Sequence, residues 1–250
     1  MTAIIVLSYN GIGVTQKFLR HLYDNTNENK FMLIMIDNGS TDGSAEYLDK
    51  FAFEHKNVIY VANDHNKGVI GGRNQGYNIL DSIEDPPEYL CFLDNDQFVM
   101  HGWLTHHHEV LKSNNYDLIG VEAWTLNRDF HPFRQCKTLR QSFSYVGCGG
   151  MMMKKKVPDD IGMFDPQFNP CYFEDPDFCF RARSSGYFMG WNFTAKLIHI
   201  PHSTLGKDSK RMLHFRQSHS KFKAKWKRRR FNAVAMANLP QFKENYVCEK

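Results

Sequence analysis

The sequence predicts an α/β fold, with a mostly parallel, Rossmann-like sheet flanked by helices, and three observations predict it. Apolar runs alternate with helix-spaced segments through residues 3–121, as successive βαβ units require. The runs are continuously apolar, which suits strands covered on both faces. Polar clusters recur where those runs end, and open α/β sheets collect their ligands at the carboxyl ends of strands.

Each element follows in order. Residues 3–7 form a short apolar strand ending at Ser8-Tyr9-Asn10. Residues 14–24 carry Phe18, Leu19 and Leu22 on one helical face. A second strand, 31–36, ends at Asp37-Asn38-Gly39-Ser40-Thr41-Asp42-Gly43, and 44–53 is helical again. The third strand, 58–62, runs into a turn at 63–68, then a helix over 70–80 with a Gly-rich start. The fourth, 89–93, ends at Asp94-Asn95-Asp96. A helix over 103–111 and a fifth strand over 118–121 follow. The second half is less regular: a loop over 128–140, an apolar Gly-rich stretch over 143–153, a turn-helix piece over 158–165, a helix over 175–185 and a strand-like 193–200.

The chain has 250 residues, enough for one large α/β domain. No window approaches the ~20 apolar residues that cross a bilayer. The start, Met1-Thr2-Ala3-Ile4-Ile5-Val6-Leu7, lacks the basic opening of a signal peptide, so the expectation is an unexported cytoplasmic protein, or one in a host cytoplasm if viral. Six cysteines without a C-x-x-C pair read as buried reduced thiols. The net charge of +4 hides an asymmetry. Residues 207–230 carry eleven Lys/Arg against one Asp, so the rest of the chain is net acidic.

Four groups could carry chemistry. Asp94 and Asp96 flank one residue at a strand end, where both carboxylates can approach one hard cation such as Mg2+ or Mn2+; a polar turn is the other reading. Glu174-Asp175-Pro176-Asp177 opens a helix, either as cap and dipole partner or as a base for an acceptor hydroxyl. His199 and His202 end an apolar strand and are metal ligands or ordinary histidines, whereas His106, His107 and His108 read as helix-surface residues. Gly68-Val69-Ile70-Gly71-Gly72-Arg73 offers backbone amides and a guanidinium fork to a phosphate.

In this order the motifs resemble family 2 glycosyltransferases of the GT-A fold across residues 3–205: the opening strand to Ser8-Tyr9-Asn10, Asp37 to Ser44, Asn66-Lys67-Gly68 through Arg73-Asn74-Gln75-Gly76, Leu93-Asp94-Asn95-Asp96, Gly162 to Asp165, and Phe173 to Arg181. The resemblance implies a GT-A domain over 1–205, with a nucleotide-binding half at 1–100, an acceptor-side half at 101–205, and a basic C-terminal extension at 206–250. It implies a metal-dependent transfer from a nucleotide-sugar donor, a UDP-sugar above all, with inversion. Ser8, Asn10, Asp37, Asn38, Asn66, Gly68, Arg73, Asp94, Gly149 and Gly150 would serve the donor. Asp94, Asp96 and His199 would hold Mn2+ or Mg2+. Asp175 would be the catalytic base, oriented by Glu174 and Asp177. The sequence departs from the family at Val69-Ile70, where small or polar residues are common, and at Pro176, where an aliphatic residue is common.

The tail leaves the acceptor open. In 221–230, period-2 alternation of cations and aromatics favours a strand, while Phe215, Phe222 and Trp226 also fit one helical face. Either the rings pack on the domain, or Trp226, Arg228, Arg229 and Arg230 meet an anionic acceptor. A glycan, or DNA or RNA carrying a hydroxylated base, would fit that acceptor role. An anionic membrane surface is the rival partner. Two other functions stay open: a non-catalytic nucleic-acid-binding module, and a nucleotidyltransferase on a related fold.

Overall fold

The computed structural model describes residues 1–200 and 210–227. Along the chain lie β1 (Thr2–Ser8), α1 (Ile12–Asn25), β2 (Phe31–Asp37), α2 (Ser44–Glu54), β3 (Val58–Ala62), α3 (Gly68–Asp81), β4 (Tyr89–Asp94) and β5 (Gln97–Val99). Then come α4 (Trp103–Ser113), β6 (Leu118–Gly120), β7 (Ala123–Leu126), β8 (Pro132–Gln135), β9 (Tyr145–Val146) and β10 (Met151–Lys154). The chain continues through α5 (Lys156–Ile161), α6 (Glu174–Ser184), β11 (Met189–Trp191), β12 (Leu197–His199) and α7 (Arg211–Lys227).

Seven strands form the main sheet in the order β11-β6-β10-β4-β1-β2-β3. All neighbours are parallel except β10, which runs against both β4 and β6. The expected mostly parallel sheet is therefore present, and its apolar runs are buried from both sides: Ala3, Ile4, Ile5 and Val6 of β1 are all at most 1% exposed. Phe18, Leu19 and Leu22 of α1 pack on one face with Met35 and Trp103. On the other, Ile70, Tyr77 and Leu80 of α3 join Phe92 and Phe164. The Gly-rich start of α3 serves this packing. A Cβ on Gly76 would fall 2.5 Å from Ile5 Cγ2, and one on Gly72 2.8 Å from Leu7 Cδ2. Those glycines lie inside the helix, not ahead of it, and let it settle closely onto β1.

The second half departs from the sequence reading. Residues 128–140 do not form a plain loop: β8 pairs with β7, which also pairs with β9, in a small antiparallel sheet. The apolar stretch 143–153 splits into β9 and the reversed β10, joined by a turn in which Met151 donates to the Cys148 carbonyl oxygen. Residues 193–200 keep only β12, paired antiparallel with β5. The surface reading fails for His107 and His108. His107 is fully buried against Trp103, and burial lowers it to about 4. His108 bonds Thr2 Oγ1 at 2.9 Å.

The basic segment resolves as helix α7. Phe222 and Trp226 are fully buried and pack edge-on against Phe180 of α6. Trp226 Nε1 donates to Asp177 Oδ1 at 2.8 Å, and Lys225 bridges Asp165 and Asp177 at 2.7 Å each. Trp226 therefore cannot stack on an acceptor, which corrects that expectation: the ring is committed to the core. Arg228, Arg229 and Arg230 lie outside the described residues, as does His202. Among the described residues, no helix is long and apolar enough to cross a membrane, and the five described cysteines are free thiols.

Candidate active site

The site lies at the carboxyl end of β4, where the central strands deliver their polar termini. Leu7 of β1 is in register with Asp94 of β4, and Ser8 with Asp37 of β2. Beyond β4 the chain turns through Asp94-Asn95-Asp96. Asn95 points inward and donates to Thr15 Oγ1 at 2.9 Å, and Thr15 in turn bonds the buried Ser8 hydroxyl at 3.0 Å. Gln97 Oε1 accepts from the Asp94 backbone N–H at 3.0 Å. These bonds fix the turn, and Asp94 and Asp96 come together.

His199, at the end of β12, completes a cluster. One donor atom each from Asp94, Asp96 and His199 lies within 4.8 Å of the others. His199 Nε2 is 3.5 Å from Asp96 Oδ1, and Nδ1 is 3.8 Å from Glu122 Oε1. Those two carboxylates push the imidazole up to about 10, and His199 in turn lowers Glu122. Two carboxylates and an imidazole suit a divalent cation of the Mn2+ or Mg2+ class, which would replace the proton held between them. Glu122 was missed in the sequence. It directly follows the predicted strand 118–121, and the strand-end rule that found Asp94 would have found it too.

Arg73 joins this cluster to the second acidic group. Its Nη2 donates to Asp94 Oδ1 at 2.7 Å, and its Nη1 lies 3.5 Å from Glu174 Oε1. Glu174 is buried, and Oε2 has no partner in the protein. Asp175 Oδ1 is likewise enclosed without one. Burial first, and then Glu174, raise the Asp175 carboxyl well above its ordinary value; Arg73 and the Cys148 amide offset this in part. Burial also raises Glu174. Both residues begin α6 behind Tyr172 and Phe173, each in left-handed backbone (φ +74° and +67°). No side chain caps that helix end, so the dipole faces the carboxylates directly. Asp177 turns the other way, to Trp226, Lys225 and Arg181.

Gly149 lies against the same cluster: a Cβ there would sit 2.5 Å from Asp94 Oδ2 and 2.8 Å from Gln97 Nε2. Gly150 follows with φ +81°. The other predicted donor residues tie the neighbouring strand ends together. Asn38 donates to Asn66 Oδ1 at 3.0 Å and to the Gly68 carbonyl oxygen at 3.1 Å. Asn10 Oδ1 accepts from the Thr41 amide at 2.7 Å, and buried Asp37 accepts from the Ser40 amide at 3.2 Å.

The model for "Glycosyl transferase family 2" matches residues 3–168. Glycosyltransferase AglE of Haloferax volcanii is 27% identical over 119 residues, 47% of this chain and 38% of that one. A poly(ribitol-phosphate) beta-glucosyltransferase of Bacillus spizizenii is 25% identical over 118 residues, 46% of this chain and 18% of its own. The chain thus spans less than two fifths of the length of these relatives. Among solved structures, a Pyrobaculum calidifontis mannosyltransferase in complex with GDP-Man and Mn2+ superposes with a TM-score of 0.68 at 16% identity, covering 96% of this chain and 70% of that one. S. aureus TarS with UDP-GlcNAc gives 0.58 at 15% identity, over 82% and 61%. At such identities the likeness is one of fold, and the fold is the GT-A arrangement that the motifs implied. With the family model matching well over half its length, the chain belongs to glycosyl transferase family 2.

Proposed function

We propose that the protein transfers a sugar from a nucleoside-diphosphate sugar to an acceptor hydroxyl, with a divalent cation and with inversion at the anomeric carbon. One observation carries the reading: Arg73 links the Asp94–Asp96–His199 cluster to Glu174, whose neighbour Asp175 keeps an unpartnered carboxylate oxygen. Cation ligands and a candidate base thus share one charge network.

Asp94, Asp96 and His199 would hold Mn2+ or Mg2+. Bound there, the cation supplies charge neutralisation for the diphosphate leaving group. The Pyrobaculum calidifontis mannosyltransferase complex, which contains Mn2+, supports this choice. Gly149 lets the turn before β10 close onto Asp94 and Gln97 at the donor site, Gly150 packs against Val121, and Asp37, Asn38, Asn10 and Asn66 shape the nucleoside end. Asp175 accepts the proton of the acceptor hydroxyl as its oxygen bonds to the anomeric carbon and the bond to the diphosphate breaks. Burial and Glu174 raise its affinity for a proton, which suits that task. Arg73 keeps Asp94 and Glu174 paired while Asp175 works. A single base opposite the leaving group corresponds to one displacement, hence inversion.

For the acceptor, a glycan hydroxyl is the reading kept. A nucleic-acid acceptor loses its stacking support with Trp226 and Phe222 in the core. Free thiols at all five described cysteines fit a reducing compartment. The test is a panel of nucleotide sugars with Mn2+ or Mg2+ and glycan acceptors, read by mass spectrometry. Release of a nucleoside diphosphate with a glycosylated product is expected, and Asp96→Asn abolishes metal-dependent donor binding. Pyrophosphate release would mark a nucleotidyltransferase instead, and unchanged donor affinity in Asp96→Asn would remove the ligand role.

A further inference from the structure

Away from the β4 terminus, a second group of ligating side chains gathers where the β7–β8 loop meets α7. Asp129 and His131 come from the loop, and His219 comes from the middle of the helix, ninety residues from Asp129 in sequence. One donor atom from each lies within 4.8 Å of the other two. The loop is anchored between its two ligands: Phe130 is buried against Phe222, and Asn127 Oδ1 accepts from the amides of Asp129 and His131 at 2.9 and 3.0 Å. His219 is buried, and its Nε2 donates to the Asp129 carbonyl oxygen at 2.7 Å. That bond fixes the tautomer and leaves the lone pair on Nδ1, as partner carbonyls do for ligating histidines. Lys223 pairs with Asp129 Oδ1, while Oδ2 faces His131 Nε2 at 3.8 Å. The two imidazoles lie tilted by 31° with centroids 3.7 Å apart, and a cation between them requires the rings to splay.

We propose that Asp129, His131 and His219 form a second cation site, for a first-row transition metal of the Zn2+ class, which clamps α7 to the β7–β8 loop. Two imidazoles and one carboxylate select a borderline cation over Mg2+, and three protein ligands leave a fourth position for water. The exposed faces of Asp129 and His131 give the ion a path from solvent. The clamp has a definite place in the molecule. His219 packs on Phe173, the residue before Glu174, so occupancy stiffens the wall behind the acidic pair.

The experiment uses the full, tag-free chain without nucleotide sugar, so that its outcome is independent of the transfer reaction. The double variant Asp96→Asn/His199→Ala silences the first cluster. It is expected to bind one Zn2+ by calorimetry, to give an intense visible absorption with Co2+, and to melt several degrees higher with Zn2+, while excess Mg2+ does not compete. Adding His131→Ala, an exposed loop position, weakens Zn2+ binding more than about tenfold and removes the melting shift. Melting in EDTA confirms that this variant is folded. A double variant that binds no Zn2+, or a His131→Ala affinity within about tenfold of its parent, overturns the site.

Discussion

Replacing Asp175 with Asn separates proton acceptance from everything else the residue does. The side chain keeps its shape, and Oδ1 has no hydrogen-bond partner to lose. The effect on transfer is therefore that of removing a general base, about 10²- to 10⁴-fold, or about 3–5 kcal/mol of barrier. Stability moves the other way. Burial and Glu174 raise the folded-state carboxyl above its ordinary value, so ionising it weakens the fold as pH climbs between the two values. Asp175→Asn removes that penalty. It melts at or above wild type at neutral pH, and the gap narrows as pH falls. The assay pairs nucleoside-diphosphate release in the presence of acceptor with calorimetry of Mn2+-dependent donor binding, which stays intact. A variant keeping more than a tenth of wild-type transfer would move the base elsewhere. A clear drop in melting temperature would make Asp175 a structural cap.

The remaining predictions concern its neighbours. Arg73→Met strands buried Glu174, at a cost of about 3–5 kcal/mol, which for a chain of this size lowers Tm by about 6–20 °C. Protonation relieves Glu174, so melts at several pH values show the deficit growing as pH rises; a constant deficit would argue against the pairing. Gly149→Ala forces Asp94 or Gln97 aside, so transfer falls about 10²-fold with little change in melting. Full activity in that variant would detach the turn from the chemistry. Trp226→Ala costs about 3–5 kcal/mol in denaturant unfolding, and a loss under about 1 kcal/mol would contradict its place in the core.

The parallel strands were legible because their signal is local. A strand buried on both faces is a continuous apolar run, so 3–7, 31–36 and 89–93 fall within the observed β1, β2 and β4, and the half-buried edge strand β3 matches 58–62. The acidic residues were legible for a related reason: carboxylates just past such runs have no place except the strand-end crevice. What escaped depends on distant partners. The reversal of β10 is set by insertion between β4 and β6, and nothing in Met151–Lys154 encodes direction. β8 is largely exposed and lacks an apolar run. The burial of His107 follows from the Trp103 ring and the Trp103 carbonyl beside it. In α7, alternating cations suggested a strand, but Lys223 and Lys225 are ion-paired with carboxylates of the body while Phe222 and Trp226 turn inward.

The reversed strand has a consequence for how the molecule is assembled. β10 hydrogen-bonds β4 on one side and β6 on the other, so the early and late parts of the chain share a single hydrogen-bonded ladder. Cutting after residue 100 would leave β4 with a naked apolar edge in one fragment and β10 with an unpaired edge in the other. Neither fragment is then a self-sufficient folding unit. The ladder closes only when a hairpin's worth of late sequence slots into a gap flanked by strands made long before it, a non-local step of the kind that slows folding. Complementation of two separately expressed fragments, rather than independent folding of either, is the behaviour this architecture dictates.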